Sequence, residues 1–134
     1  MEKIVLTLKS KRSEIDTIDK YLNDINKSLG LDESKFLNFQ IAVSEALINA
    51  IVHGNHESDS KIVKMEIQYN DNSITVKIKD EGTGFDINKL PDPTQEENLF
   101  KEHGRGIFIM KSLVDNFICN SDESGTEYIL TIHK

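Results

Sequence analysis

Residues 3–8 alternate, with Ile4, Leu6 and Leu8 facing one way and Lys3, Val5 and Thr7 the other. A period of two predicts a strand with one buried face. The period then lengthens: Ile15, Ile18, Leu22, Ile25 and Leu29 form one helical stripe, opposed by Glu14, Asp19, Lys20 and Asn23. Ser13 is the expected N-cap of this amphipathic helix and Gly30 its stop. A second helix starts at Asp32 or Ser34 and runs through Phe36, Phe39, Val43, Leu47, Ala50 and Ile51 to about Gly54. It is apolar over much of its circumference, which makes it the central helix.

After a loop over residues 55–60, alternation returns in Val63, Met65, Ile67 and Tyr69, and again in Ile74, Val76 and Ile78. The short link Asn70-Asp71-Asn72 makes these two strands an antiparallel hairpin. Regularity then fails over residues 87–103, where Pro91, Pro93 and a polar run predict a long loop of the kind that serves as a lid. A third helix is expected from Gly104 to about Asp115, carrying Ile107, Met110, Lys111 and Val114. Residues 117–120 and 127–133 read as closing strands around an Asp122-Glu123-Ser124-Gly125 turn. Sequential hairpins favour an α+β fold: a two-layer α/β sandwich with a mixed, mostly antiparallel sheet and helices on one face.

Length and composition narrow the class. With 134 residues the chain is expected to be a single domain over 1–134. A net charge of −7 argues against a nucleic-acid surface, which needs clustered Lys and Arg. No uncharged apolar run approaches the ~20 residues of a membrane span, and the N-terminus lacks a secretory signal's apolar stretch, so the expected location is cytoplasmic. The single cysteine, Cys119, lies in an apolar stretch and reads as packing in a reducing compartment. His53 and His56 have no accompanying ligand pair at metal-site spacing.

Against this plain background one helix carries awkward residues. Glu45, Asn49 and His53 are spaced by four, so they share a stripe of the second helix, each step rising about 6 Å. A carboxylate and a carboxamide on so apolar a helix are either satisfied within the core or turned toward a cavity. Asn49 can offer an oxygen to Mg²⁺, and Glu45 can take a proton from a hydroxyl or water attacking a terminal phosphate.

Two glycine turns suggest what the cavity holds. Asp80 ends a strand ahead of Gly82 and Gly84, where a carboxylate can accept a hydrogen bond from an adenine amino group. The same residues also suit a plain strand-ending turn. Gly104-Arg105-Gly106 opens a helix, and is either a flexible entry to it or, through free N–H groups and the helix dipole, a phosphate cradle to which Arg105 can add charge. Thr126, after Gly125, is either a water-holding hydroxyl near the base or simply a β-former.

Taken in order, the segments E-A-L-I-N-A-I-V-H-G (45–54), D-E-G-T-G-F-D (80–86), G-R-G-I-F-I-M-K-S-L-V-D (104–115) and G-T (125–126) resemble the GHKL ATP-binding superfamily. That group includes gyrase, the heat-shock chaperone ATPase, sensor histidine kinases and the mismatch-repair ATPase. The resemblance covers about residues 36–134, and its form is similar to the smallest branch, the bacterial anti-sigma factor serine kinases. It implies a Bergerat-type, histidine-kinase-like ATPase domain and a serine/threonine-protein kinase. On it Asn49 is the Mg²⁺ ligand and Glu45 the general base. Asp80 is the adenine acceptor, and Gly82, Gly84 and Phe85 line the base pocket. His53, Gly104, Arg105, Gly106, Ile107 and Thr126 complete the ATP contacts. It further implies a sigma factor and a STAS-type anti-anti-sigma factor as partners, and a homodimer, for which an edge-lying first strand is a place. Phe108 departs from the wider pattern, standing where some relatives have a further glycine, which implies a tighter phosphate loop. The competing function is an ATP-binding module that sequesters a partner without phosphotransfer.

Overall fold

A computed structural model of the chain describes residues 1–84 and 102–134, with side chains at 102–105 left aside. The expected lid falls almost wholly outside the described residues, as does Phe85. The elements run β1 (Glu2–Lys9), α1 (Glu14–Leu29), α2 (Glu33–Ile48), a π-helical turn (Asn49–Gly54), β2 (Ile62–Tyr69), β3 (Ser73–Lys79), α3 (Glu102–Leu113), β4 (Asn116–Asp122) and β5 (Gly125–His133). The strands form one sheet in the order β1-β2-β3-β5-β4. Every pairing is antiparallel, so the mostly antiparallel sheet expected from the hairpins is antiparallel throughout the described residues.

Period two decides which face is covered. Val63, Met65 and Ile67 on β2, Ile74, Val76 and Ile78 on β3, and Tyr128, Leu130 and Ile132 on β5 are all buried. Between them Lys64, Glu66, Lys77 and Glu127 project from the uncovered face, where Glu66 receives Lys3 at 2.6 Å and Lys77 at 3.6 Å. The three helices therefore share one face and one core with the sheet. Each large apolar side chain so buried contributes about 1.5–3 kcal/mol.

The central helix is α2, whose buried residues Phe39, Ala42, Val43, Ala46 and Leu47 follow helical spacing. Together with the π-turn it is long and apolar enough, over the 22 residues Glu33–Gly54, to cross a membrane by length and composition. Here that apolar surface is spent on the core, with Phe39, Ala46, Leu47 and Ile51 each fully buried. Asp32, not Ser34, caps it, accepting the Lys35 N–H at 2.9 Å.

Three local expectations need correction. Ser13 stands at the N-cap of α1 in αR geometry and makes no capping bond. A helical φ/ψ there aims the hydroxyl away from the first turn; instead Glu14 reaches back to the Lys9 N–H at 2.8 Å. The second helix does not reach Gly54 as α-helix but widens into the π-turn, with the Asn55 N–H bonding Ala50 O at 2.9 Å. Finally, α3 begins at Glu102, so the Gly104-Arg105-Gly106 segment lies inside its first turns.

Candidate functional site

A cavity of about 340 Å³ opens where the π-turn meets the ends of β3 and β5. Its volume falls within the range of small-molecule sites, about 300–1,000 Å³. One wall is Asn49, His53 and Gly54; the other is Asp80, Gly84, Thr126 and Tyr128. A larger concavity of about 530 Å³ lies on the uncovered sheet face, among Val5, Lys64, Glu66 and Lys77. Its charges stand on side chains of the uncovered sheet face, whereas the smaller cavity gathers the buried polar residues Asn49, Asp80 and Thr126. Convergent fixed polar groups mark a binding site better than volume does.

Asp80 reaches the cavity because of strand phase. It continues the inward series Ile74, Val76, Ile78 by one more step of two, and Thr126 continues Ile132, Leu130, Tyr128 in the same way. The two residues meet across the sheet: the Asp80 N–H donates to Thr126 O at 3.0 Å, and the Thr126 N–H donates to Asp80 Oδ1 at 3.0 Å. Gly82 N–H also donates to Oδ1, at 2.9 Å. The carboxylate is 1% exposed.

Glycines make this approach possible. A Cβ on Gly54 would collide with Oδ2 of Asp80, and one on Gly125, at φ +133°, with the Asp80 carbonyl. Both positions thus need glycine for contact, and Gly125 also for conformation. The negative carboxylate is felt by its neighbours. Burial first, then Asp80, pushes the Cys119 thiol up to about 11, while Lys111 opposes. Burial, Cys119 and Asp80 likewise raise Tyr128, which stays a neutral phenol.

The other wall is α2 and its continuation. Asn49 is 2% exposed and its Nδ2 has no hydrogen-bond partner among the described residues. Half-buried Glu45 lies one turn earlier. α3 packs alongside: a Cβ built on Gly106 would stand 3.2 Å from Glu45 Oε2 and 3.4 Å from both amide atoms of Asn49. Hence Glu45, Asn49 and Gly106 form one cluster, with no side chain at Gly106 to fill it. In α3 the Gly104 and Arg105 amides fall within the first four positions, whose N–H groups lack helical acceptors. The Arg105 side chain lies outside the described residues. Ile107 is 4% exposed and its side chain belongs to the core.

The structure thus brings Glu45, Asn49, His53 and Gly106 to one end and Asp80, Gly82, Gly84 and Thr126 to the other. Sequence reasoning missed Tyr128 and Asn55. Tyr128 was recoverable as the next inward residue after Thr126. Asn55 was read as loop, yet it is fully buried and makes three side-chain bonds, to Ser10, Ile62 and Glu81. After it His56 and Glu57 hold φ of 52° and 56°, uncommon for non-glycine residues and a mark of a constrained turn.

Residues 8–132 match the histidine kinase-like ATPase domain family. An anti-sigma F factor of Clostridium acetobutylicum is 30% identical over 129 residues, covering 93% of this chain and 79% of the relative. The anti-sigma F factor of Clostridium botulinum Alaska E43 is 36% identical over 89 residues, a match that spans 63% of this chain and 62% of the relative's length. The serine-protein kinase RsbW of Listeria monocytogenes EGD-e is 27% identical over 137 residues, covering 97% and 86%. Among solved structures, the RsbU and RsbW domains of a Mycobacterium tuberculosis protein superpose with TM-score 0.67 at 19% identity, over 98% of this chain and 32% of that one. The chain belongs to the histidine kinase-like ATPase family, in its GHKL anti-sigma kinase branch.

Proposed function

We propose that the protein is an anti-sigma factor type protein-serine kinase: it binds ATP with Mg²⁺ and phosphorylates a serine on an anti-anti-sigma partner, so controlling release of a sigma factor. The observation that carries this reading is the pairing within one cluster of a buried carboxamide and a carboxylate. Asn49, with its Nδ2 lacking a partner among the described residues, lies beside Glu45 and the bare face of Gly106. A buried amide left unmet costs about 1–3 kcal/mol, a cost expected to be recovered when ligand is bound.

The donor set fits the groups it would hold. The Asn49 carboxamide can turn its amide to a phosphate oxygen or its carbonyl to a hard cation, and Mg²⁺ takes few protein ligands beside phosphate and water. Bound Mg²⁺ would neutralise charge on the transferred phosphate. Asp80, an acceptor at the far wall, favours an adenine amino group over the carbonyl of guanine. Glu45 suits the base that takes the proton of an incoming serine hydroxyl. The relatives' names, anti-sigma F factor and serine-protein kinase RsbW, support the same partners. Strand β1 at the sheet edge, paired with β2 alone among the described residues, supports a homodimer built there. A cytoplasmic location follows from those partners.

The test is incubation of the full chain with γ-labelled ATP, Mg²⁺ and an antagonist domain encoded by neighbouring genes. Label on a partner serine is the expected result. ATP bound at saturation with no label transferred would replace the kinase with a partner-sequestering module.

A further inference from the structure

The buried side chain of Asn55 has no place in the reading above, and its hydrogen bonds are unusual in where they fall. Strand β2 pairs with β3 in a register that sets Lys64 opposite Lys79. Continued by two residues, that register would set Ile62 opposite Glu81, each bonding the other's backbone. The ladder does not continue. Asn55 Nδ2 donates to Ile62 O at 2.9 Å, while its Oδ1 accepts the Glu81 N–H at 2.7 Å. The carboxamide thus occupies the gap between two strands that would otherwise zip together. Glu81 completes the substitution, its Oε1 accepting the Ile62 N–H at 2.6 Å. A third bond, from Asn55 Nδ2 to Ser10 Oγ at 3.0 Å, fixes the wedge to the end of β1, where Ser10 Oγ donates to Lys61 O at 2.6 Å.

We infer that Asn55 is a positioning residue for Asp80: its carboxamide splays β2 from β3 and holds the main chain at Glu81 so that the Asp80 carboxylate faces the base pocket. This rests on the adenine-nucleotide reading of that pocket. The restraints on Asp80 from Thr126 all come from the β5 side. Asn55 supplies the opposing attachment, one residue along the chain from Asp80. It also follows Gly54, whose bare Cα abuts Asp80 Oδ2. One short segment thereby sets both the clearance around the carboxylate and the direction it faces. The end of the Glu45–Asn49 helix and the base-reading turn are joined through it.

A residue that only stabilises the fold would lower affinity for every nucleotide alike. A residue that aims Asp80 affects the reading of the base. The experiment is calorimetric titration of the full-length wild type and Asn55→Ala with ATP and with GTP, each well below its melting temperature. In Asn55→Ala the ATP affinity is expected to fall about tenfold while GTP changes less than about twofold, so the ATP preference collapses. An unchanged ATP-to-GTP ratio, whatever the melting temperature does, overturns the inference. If Asn55→Ala does not fold, Ser10→Ala carries the test: it removes one of the two Nδ2 acceptors, together with the Ser10–Lys61 bond, and leaves Oδ1 on the Glu81 N–H. A fall of about two- to threefold in the ratio supports the inference and none overturns it. Failure of the pocket reading looks different: wild type itself then shows no ATP preference, and Asp80→Asn leaves it unchanged, which sinks the inference as well.

Discussion

Asp80 and Asn49 line opposite walls of one cavity and are equally hidden, at 1% and 2% exposure, yet they are held in opposite ways. Asp80 Oδ1 accepts two backbone N–H bonds, and glycines crowd the group from two sides. Asn49 is placed by a π-turn and carries a buried Nδ2 with no partner among the described residues. At Asp80 Oδ1 the first wall is anchored before any ligand arrives; at Asn49 Nδ2 the second is completed by one. Recognition of a base gains from rigidity, because selectivity depends on a fixed acceptor. Handling of phosphate and metal gains from polar capacity left in reserve.

If that division holds, substitutions at the two walls separate chemistry from recognition. The largest effect is expected at Glu45, beside Asn49 and Gly106. Glu45→Gln keeps shape and removes basicity, so phosphotransfer should fall about 10²–10⁴-fold with ATP affinity held within about threefold. Transfer at the wild-type rate would remove Glu45 from the role of base. At the opposite wall Asp80→Asn exchanges an acceptor-only group for an amide. ATP affinity should drop about tenfold or more, while turnover at saturating ATP changes little. A loss confined to turnover would reverse the assignment of the two walls.

How much of this was legible in the chain depends on the range of the interaction concerned. Strands and helices were readable because apolar periodicity is local, and Asp80 belongs to that class as one more step of β3. The π-turn was not, since Asn49, Ala50 and Ile51 continue an apolar helical pattern and carry no local signal of the wider winding. Ser13 misled because a cap is a backbone conformation as well as a residue type. Asn55 was hidden for a different reason: its partners Ser10 and Glu81 lie 45 and 26 residues away. Polar residues after a helix look like loop until their distant partners are known. The Glu45–Asn49 pair was visible as an anomaly, but its proximity to Gly106 required the fold.

A smaller effect tests the reserve at Asn49 directly. Asn49→Leu replaces an unmet buried amide with an apolar group of similar size. The ligand-free protein should gain about 1 kcal/mol, or about 2–5 °C in melting temperature, and lose nucleotide binding. Such an exchange of stability against function is expected where a site stores an unsatisfied group. A lower melting temperature would mean that the Asn49 amide is structurally satisfied, and the contrast between the walls would vanish.

The smallest effect reads the fixed charge on the other wall through a bystander. Cys119 is half-buried, and its thiol is pushed up to about 11 by burial first and by Asp80 second. A raised thiol pKa holds the neutral, unreactive form across the range where a free thiol, at about 8.5, begins to ionise. Alkylation of the native protein at pH 8–9 should therefore be slow. Asp80→Asn removes one of the two raising causes and leaves burial, so the thiolate fraction at a given pH must increase. The alkylation rate should rise a few-fold and reach its midpoint at lower pH. Unfolded protein should react fastest, because burial and Asp80 are both gone. If Asp80→Asn leaves the pH profile in place, Asp80 is not acting as a charge at this distance. Its preorganised wall would then be a matter of hydrogen bonds alone.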